Sequence, residues 1–315
     1  MGKIHIGISG WRYAPWRGVF YPPGLPQDRE LEFASRALSS VEINGAFYSL
    51  QSPESYAAWH AATPPGFTFS VKANRFLTHI LRLRNLEKPM ANVLASGIFN
   101  LREKLGPLLW QLPPTMRFDA AVIESFLALL PHDTRSALTL ARKRERMMHG
   151  RSRLSIDANR PLRHAIEVRH PSFVDEAFVT LLRKYRVALV VADTAGKWPD
   201  YEDVTADFMY LRLHGDTELY ASGYSDAALA RWAERIRAWS GGAEPDDANR
   251  ICTAPAPRIE GRDVYCYFDN DVKVMAPFDA RRLIDMLGLD AGLAPLARQE
   301  AAPGESRGRR RMRRD

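Results

Sequence analysis

Polar residues that could perform acid–base chemistry or bind an anion stand at the ends of segments with a β-strand pattern. In the segment FMYLRLHG, residues 208–215, apolar residues alternate with Tyr210, Arg212 and His214. Because successive side chains of a strand point to opposite faces, one face would be apolar and the other would carry these three groups. The alternation recurs in seven further segments, nearly all with a polar residue at the carboxyl end. This repetition predicts a functional site where the strands end.

The last one or two positions of the eight strands supply four carboxylates, three cations and one histidine. The candidates for catalysis are Lys72, Glu167, Asp193, His214 and Asp269. The candidates for substrate binding are Asn44, Gln111, Arg169, Arg212, Tyr267 and, just after the first strand, Trp11. The same positions also hold Ser9 and Glu42. Burying an unpaired charge costs several kcal/mol, so this convergence favours a built site over chance.

The three cations suit an anionic substrate. Arg212 and Arg169 would bind a phosphate or carboxylate group, because a guanidinium pairs with such groups through two parallel hydrogen bonds. Lys72 would be a second anion anchor or an acid. A structural alternative stays open, in which these charges only pair into buried ion networks, and Arg169 or Glu42 could be such a partner.

The acidic candidates and the histidine suit proton transfer. His214 and Glu167 would exchange protons with the substrate, while Asp193 and Asp269 would orient these bases or hold a metal ion. Carboxylates and imidazole are ligands for divalent cations, but the sequence contains no H-x-H or H-E-x-x-H pair. The neighbouring cations would also oppose a metal unless an anionic substrate were present. The cofactor is therefore left open.

The segments that carry these residues predict a (β/α)8 barrel in one domain, residues 1–290. Strands are predicted at residues 4–9, 41–44, 67–72, 108–112, 164–170, 187–193, 208–214 and 264–269. Helices are predicted at residues 28–38, from 52 onward, and at 89–105, 119–130, 173–185, 225–239 and 278–287. Eight strands that mostly alternate with helices favour a closed parallel barrel, whose active site would lie at the carboxyl ends of the strands. Neither G-x-G-x-x-G after the first strand nor G-x-x-x-x-G-K-[ST] occurs, so a nucleotide-binding fold loses its usual support.

The net charge of +7 on 315 residues is concentrated in two appendages. Residues 142–163 hold eight basic and two acidic residues, and residues 305–315 hold six arginines and two acids, which leaves −3 for the remainder. The first lies in a basic insertion, residues 133–163, where 135–149 could form a basic helix. The second ends a segment, 291–315, that is predicted to be disordered. Together they offer an alternative function as a nucleic-acid-binding protein.

Composition restricts the compartment. The longest uncharged span, residues 55–71, is broken by Pro64, Pro65 and Gly66, so no membrane-spanning segment is expected. No signal-peptide pattern precedes the first strand. Only two cysteines occur, Cys252 and Cys266, and they predict a cytoplasmic protein with reduced thiols.

Seven motifs together resemble the YecE-like family, known as domain of unknown function 72. The motifs are SGWRY (9–13), VEINGAFY (41–48), FSVKANR (69–75), WQLPP (110–114), EVRHPSF (167–173), LRLHG (211–215) and YFDND (267–271). The resemblance covers residues 4–287 and implies a TIM-like barrel, distantly similar to apurinic endonucleases and xylose isomerases. It implies no settled reaction, and the basic insertion departs from the short form of the family.

The leading interpretation is a cytoplasmic enzyme, a hydrolase, lyase or isomerase, that acts on a polar substrate bearing phosphate, carboxylate or sugar hydroxyls. Its chemistry would be acid–base or metal-assisted, at the barrel mouth. The alternative is a protein that binds nucleic acid through the basic insertion and tail, with endonuclease-like chemistry as one version of it.

Overall fold

The structure, a computed structural model, describes residues 1–296 and forms a closed barrel of eight parallel strands. Each strand pairs with its neighbours in chain order, and the last pairs with the first. The strands are β1 (Ile4–Ser9), β2 (Ser40–Ile43), β3 (Thr68–Lys72), β4 (Leu105–Gln111), β5 (His164–Glu167), β6 (Ala188–Asp193), β7 (Phe208–Leu213) and β8 (Asp263–Phe268). The (β/α)8 barrel that the sequence predicts is confirmed.

Helices surround the barrel within the described range. They are α1 (Glu30–Ala37), α2 (Gly45–Tyr48), α3 (Pro53–Ala62), α4 (Glu87–Ala95), α5 (Ala120–Leu129), α6 (Thr134–Ala141), α7 (Glu176–Tyr185), α8 (Asp226–Ser240) and α9 (Ala276–Leu287). Five of them begin after a Ser or Asp whose side chain accepts a backbone N–H of the first turn, which satisfies a donor that the helix itself cannot. These residues are Ser52, Asp119, Asp133, Asp175 and Ser225.

The prediction of a single long helix at residues 89–105 is wrong. Helix α4 ends at Ala95, Gly97 adopts a φ of 123°, and a 3₁₀ segment, Ile98–Lys104, leads directly into β4. A Cβ at Gly97 would lie 2.5 Å from the Cα of Pro53, so only glycine lets the chain pass this close to the start of α3. The apolar periodicity continues across this break and therefore concealed it.

Alternation sorts the side chains of most strands into an outer layer against the helices and an inner layer inside the barrel. In β7, Met209 and Leu211 belong to the outer core, whereas Tyr210 points inward. Strand β6 is apolar on both faces, with Val190 inside and Val191 outside. Its sequence therefore gives no parity signal.

The amino-terminal end of the barrel is closed by paired charges and stacked rings. Nη1 of Arg163 donates to Asp263 (2.6 Å), and Nη2 donates to Asp207 (3.1 Å). The ring of His5 stacks on Tyr265 with a centroid distance of 4.8 Å. Burial lowers the pKa of His5 to about 4, so this imidazole is neutral near pH 7.

The basic insertion and residues 291–296 both contact the rest of the fold. The predicted basic helix 135–149 is shorter than expected, because α6 ends at Ala141 and a turn and a short 3₁₀ segment follow. Of the segment 291–315, predicted to be disordered, residues 291–296 are described: the N–H of Ala294 donates to the carbonyl of Arg36 (2.7 Å), and Leu293 packs on the core. The rest of that segment lies outside the described residues.

Candidate active site at the carboxyl ends of the strands

The centre of the candidate site is Arg212, which β7 directs into the barrel. Its guanidinium is fully buried and donates to three carboxylates. Nη2 lies 2.9 Å from Glu42 and 2.8 Å from Asp269, and Nη1 lies 2.8 Å from Glu167. These acids come from the ends of β2, β8 and β5, so the barrel closure itself assembles the group. We call Glu42, Glu167, Asp269 and Arg212 the carboxylate cluster.

Further hydrogen bonds fix two of the carboxylates. Glu42 accepts from the hydroxyls of Ser9 and Tyr210, both at 2.6 Å. Glu167 accepts from Nε2 of Gln111 at 2.9 and 3.0 Å, and from Nε of Arg169 at 2.7 Å. Satisfying these oxygens is what makes buried carboxylates tolerable, because a buried charge is costly unless it is paired and hydrogen-bonded.

His214 lies next to two members of the carboxylate cluster, Asp269 and Arg212. Its Nδ1 lies 3.1 Å from Oδ2 of Asp269, and its Nε2 lies 3.4 Å from Nη1 of Arg212. Because arginine can only donate, Nε2 of His214 is the acceptor in the contact with Arg212, and Nδ1 faces the carboxylate. The imidazole is fully buried, so it orients Asp269 from beneath rather than lining the open space above.

Two carboxylates of this cluster, Asp269 and Glu167, are held ionised. Burial alone would raise the pKa of Asp269, but the charge of Arg212, the hydrogen bond to His214 and the charge of Lys72 lower it below its ordinary value. For Glu167 burial is likewise outweighed, by Arg169 and Arg212 first, and its pKa is well below the usual range. Both groups are therefore bases without a proton near pH 7.

A cavity of about 600 Å³ lies above the cluster at the barrel mouth. Six of the predicted site residues line it: Trp11, Asn44, Lys72, Gln111, Arg169 and Asp269. Three others lie buried beneath it: Glu167 and Arg212 are hydrogen-bonded to members of that lining, and Nδ1 of His214 lies 3.1 Å from Asp269. The structure thus brings nine of the eleven predicted residues to one place.

Lys72 projects into this cavity as a buried cation. Its Nζ lies 4.4 Å from the ring centre of Phe47, and it forms no salt bridge or hydrogen bond with any residue between 1 and 296. Burial lowers the pKa of Lys72, and the positive charge of Arg212 lowers it further, against the opposing effect of the carboxylates. The ammonium is therefore free to meet a ligand.

Arg169 is the second cation of the cavity. Its Nε is occupied by Glu167, and its guanidinium stacks over the ring of Trp198 at 3.8 Å. Within the described part of the chain, its two terminal nitrogens have no hydrogen-bond acceptor. Stacking and the Nε contact fix the plane of the guanidinium, so those terminal N–H groups are held ready for an anion.

The cavity also contains residues that we did not predict as site members. Asp271 lines it, and burial followed by the negative charge of Asp269 raises the pKa of Asp271 to about 6. Tyr13, Tyr48 and Tyr220 contribute aromatic walls, and Tyr48 is 71% exposed at the rim. The motif YFDND contains the signal for Asp271, a second aspartate two residues after Asp269 and three after the last residue of β8.

Two predicted residues are not part of this group. Asp193 follows the outward parity of Val191, and its carboxylate accepts from the hydroxyl of Tyr224 (3.0 Å) and faces a separate acidic pocket. Because β6 is apolar on both faces, the sequence could not reveal this orientation. Tyr267 does point inward, but it lies deeper in the barrel, where its hydroxyl is 2.8 Å from Oγ of Ser40.

The sequence leaves a metal ion open and predicts no membrane-spanning segment. Between residues 1 and 296, no group of three or more His, Cys, Asp or Glu side chains is placed to hold a metal ion. The same range contains no helix long and apolar enough to span a bilayer.

Comparisons with known proteins agree with the barrel. A family model described as protein of unknown function DUF72 matches residues 5–304. The structure of a DUF72 family protein from Thermotoga maritima MSB8 is 24% identical with a TM-score of 0.65, and the alignment covers 91% of this chain and 99% of that one. One from Enterococcus faecalis V583 is 16% identical with a TM-score of 0.66, and the alignment covers 95% and 99%. The UPF0759 protein YunF of Bacillus subtilis (strain 168) is 32% identical over 75 residues, which span 24% of this chain and 26% of that protein.

Proposed function

We infer that this chain, which belongs to the DUF72 family as its motifs predicted, is an enzyme that acts on a small polar anion in the barrel mouth. One observation carries the inference. Lys72 is a buried cation that forms no salt bridge or hydrogen bond within residues 1–296, although the nearby carboxylates oppose the lowering of its pKa. A buried lysine without a partner destabilises the protein, so its presence in a cavity is best explained by a ligand that supplies the negative charge.

Arg169 would share that anion with Lys72. A phosphate or carboxylate between the two would receive charge-assisted hydrogen bonds from both, with the flat guanidinium setting its orientation. Arg212, which the sequence suggested as an anion ligand, has a different role in this proposal. Its donors are already committed to the carboxylate cluster, so it is a positioning residue that keeps Glu167 and Asp269 ionised.

Two carboxyl groups with opposite pKa shifts would perform the proton transfers. Asp269 is held ionised and would accept a proton, whereas Asp271, with its pKa raised to about 6, would carry one to the substrate. Such a pair, pushed apart by environment, is how one site provides both a base and an acid. Lys72 would be a further proton carrier, since its pKa is lowered.

The rest of the lining suits a substrate with hydroxyls and a ring. The amides of Asn44 and Gln111 offer hydrogen bonds, and Trp11, Tyr48 and Trp59 offer apolar faces. A phosphorylated or carboxylated sugar matches this combination, and an isomerase, lyase or hydrolase could each use it. A cytoplasmic location would agree with the two free thiols of Cys252 and Cys266.

A thermal-shift screen tests this proposal. Phosphorylated and carboxylated metabolites are added to the wild type, to Lys72→Met, and to Lys88→Met, a control that removes an exposed lysine outside the cavity. Mg²⁺ and Mn²⁺ form separate arms of the same screen. We expect at least one metabolite to raise the Tm of the wild type and of the control but not of Lys72→Met. No stabilisation by any compound, or equal stabilisation of all three proteins, would contradict the proposal.

A further inference from the structure

The basic insertion, residues 133–163, packs against the helices that surround the barrel and is hydrogen-bonded to them. The apolar face of α6 packs against α4, with Ala137 and Ala141 fully buried. Beyond the helix, Asn92 and Glu145 exchange two hydrogen bonds of 2.6 and 2.9 Å, side chain to side chain and side chain to backbone. These contacts hold the insertion in one arrangement relative to the barrel.

The three acidic residues of the insertion, Asp133, Glu145 and Asp157, each form a hydrogen bond or salt bridge within the fold. Asp133 caps α6 by accepting from the N–H of Ser136 (2.8 Å). Glu145 accepts from Asn92, and Asp157 pairs with Arg160 at 2.6 Å. None of these acids is left to neutralise the outward-facing arginines.

Five exposed arginines of the insertion form no salt bridge with a carboxylate in residues 1–296. They are Arg135, Arg142, Arg146, Arg151 and Arg153, which we call the arginine surface. Arg135 lies in the first turn of α6 and Arg142, with helical backbone angles, directly follows its last residue; at seven positions apart they lie on the same side at a spacing of about 10 Å. The bond from Nε of Arg144 to Oγ of Ser152 (3.0 Å) brings the following turn next to the segment that carries Arg151 and Arg153.

We propose that the arginine surface binds the phosphate backbone of a nucleic acid. Five exposed like charges exceed what one small anion would neutralise, but they match a polymer that repeats its negative charge. A guanidinium forms paired hydrogen bonds with phosphate oxygens, and arginine is well suited to that contact. Since the barrel mouth has its own cations and lies at the strand ends, this surface would act independently of the proposed catalytic site.

Fluorescence anisotropy on the full chain, tail included, tests the proposal. The probes are labelled 20-nucleotide duplex DNA, duplex RNA and single strands, titrated between 50 and 200 mM KCl. The test variant carries R135Q, R142Q, R146Q, R151Q and R153Q. A charge-matched control carries R29Q, R36Q, R84Q, R117Q and R258Q, all exposed and outside the insertion.

Each lost contact should reduce the slope of log affinity against log salt by roughly 0.9 for duplex DNA. We therefore expect the slope to fall by about 4.5 in the test variant and to stay near that of the wild type in the control. Preference between the DNA and RNA arms identifies the source of the backbone. A variant limited to R146Q, R151Q and R153Q leaves α6 intact and should lose proportionately less.

Three outcomes would overturn the proposal. The first is a salt slope unchanged by the five substitutions, which would assign binding to the tail. The second is an equal loss in the charge-matched control, which would show only a net-charge effect. The third is binding to phosphatidylserine vesicles that exceeds binding to every nucleic-acid probe. Far-UV circular dichroism and the Tm of each variant confirm that a loss does not come from unfolding.

Discussion

Each end of the barrel holds an arginine among carboxylates. The two ends differ in whether further cations with unused hydrogen-bond donors are present. At the amino-terminal end, Arg163 pairs with Asp263 and Asp207 and lies beside stacked rings. At the carboxyl end, Arg212 satisfies three acids, and the site then adds Lys72 and Arg169 with unused donors around a cavity of about 600 Å³. The charged groups at the amino-terminal end are thus paired with one another, whereas the carboxyl end keeps donors that a ligand could reach.

This difference indicates which charged groups stabilise the fold and which are kept for function. Charges that are fully paired inside the fold contribute to its stability or its specificity, whereas a cation kept without a partner costs stability and is retained for binding or catalysis. In barrels of this class the carboxyl ends of the strands carry the active site, and the opposite face serves stability. The following substitutions test that division.

The largest effect is expected from Arg212→Met. It would leave Glu42, Glu167 and Asp269 crowded together and buried without their common partner, and breaking one buried ion pair costs about 3–5 kcal/mol. The free energy of unfolding from urea denaturation should fall by at least that amount, or the protein should fail to fold. A loss below about 1 kcal/mol would mean that the carboxylate cluster does not depend on Arg212.

A smaller effect is expected from Arg163→Met at the closed end. This arginine is partly exposed, and the hydrogen bonds it makes to Asp263 and Asp207 involve charged groups, each typically worth about 1.5–3 kcal/mol when buried. Allowing for exposure, we expect a loss of about 1–2 kcal/mol in the urea experiment. Ligand-induced stabilisation from the screen should be unchanged, and a loss of it would show that the two ends are not independent.

The opposite sign is expected from Lys72→Met. Because the variant replaces an unpaired buried cation with an apolar side chain of similar length, the free energy of unfolding should stay constant or rise by about 1 kcal/mol. The measurement is the same urea titration. A loss of more than about 1 kcal/mol would show that Lys72 has a structural partner and is not held for a ligand.

The most subtle effect is a pH dependence of anion affinity. Asp271 has a pKa raised to about 6 by burial and by Asp269, so it becomes negative as the pH rises through that value and should repel an anion in the cavity. Sulfate, which does not titrate in this range, should bind more weakly at pH 7.5 than at pH 5. In Asp271→Asn this difference should shrink, and an unchanged profile would exclude Asp271 as its source.

The free energy of unfolding should also depend on pH through Asp271. A carboxyl whose pKa is raised in the folded state binds a proton more tightly there than in the unfolded chain. Its stabilising contribution is therefore full below about pH 4 and is lost as the pH rises to about 6. Asp271→Asn should remove this part of the decline.

The inward residues of most strands could be predicted from the sequence because alternation encodes them directly. At the end of β7, Arg212 and His214 alternate with leucines, which predicts that they face inward. The same alternation predicts Lys72 and Glu167. Asp193 escapes the rule because β6 is apolar on both faces. The pattern is local, so it works only where the two faces of a strand differ.

Depth and pairing could not be predicted in the same way. Whether Arg212 faces a ligand or is consumed by acids depends on how closely β2, β5 and β8 approach it, and no local pattern records distances across a barrel. Asp271 lies beyond the strand end, where alternation no longer applies. The break at Gly97 was hidden for a related reason, since it depends on the approach of Pro53 from a distant segment.

The central claim is that Lys72 and Arg169 bind one anion together, and a double-mutant cycle tests it most directly. The Kd of sulfate is measured by isothermal titration calorimetry at pH 6 on wild type, Lys72→Met, Arg169→Gln and the double variant. We predict that each single variant weakens binding about tenfold or more, equivalent to about 1.4 kcal/mol, and that the double variant loses less than the two single losses combined. Unchanged affinity in both single variants, or fully additive losses, would contradict the claim that the two cations share a ligand.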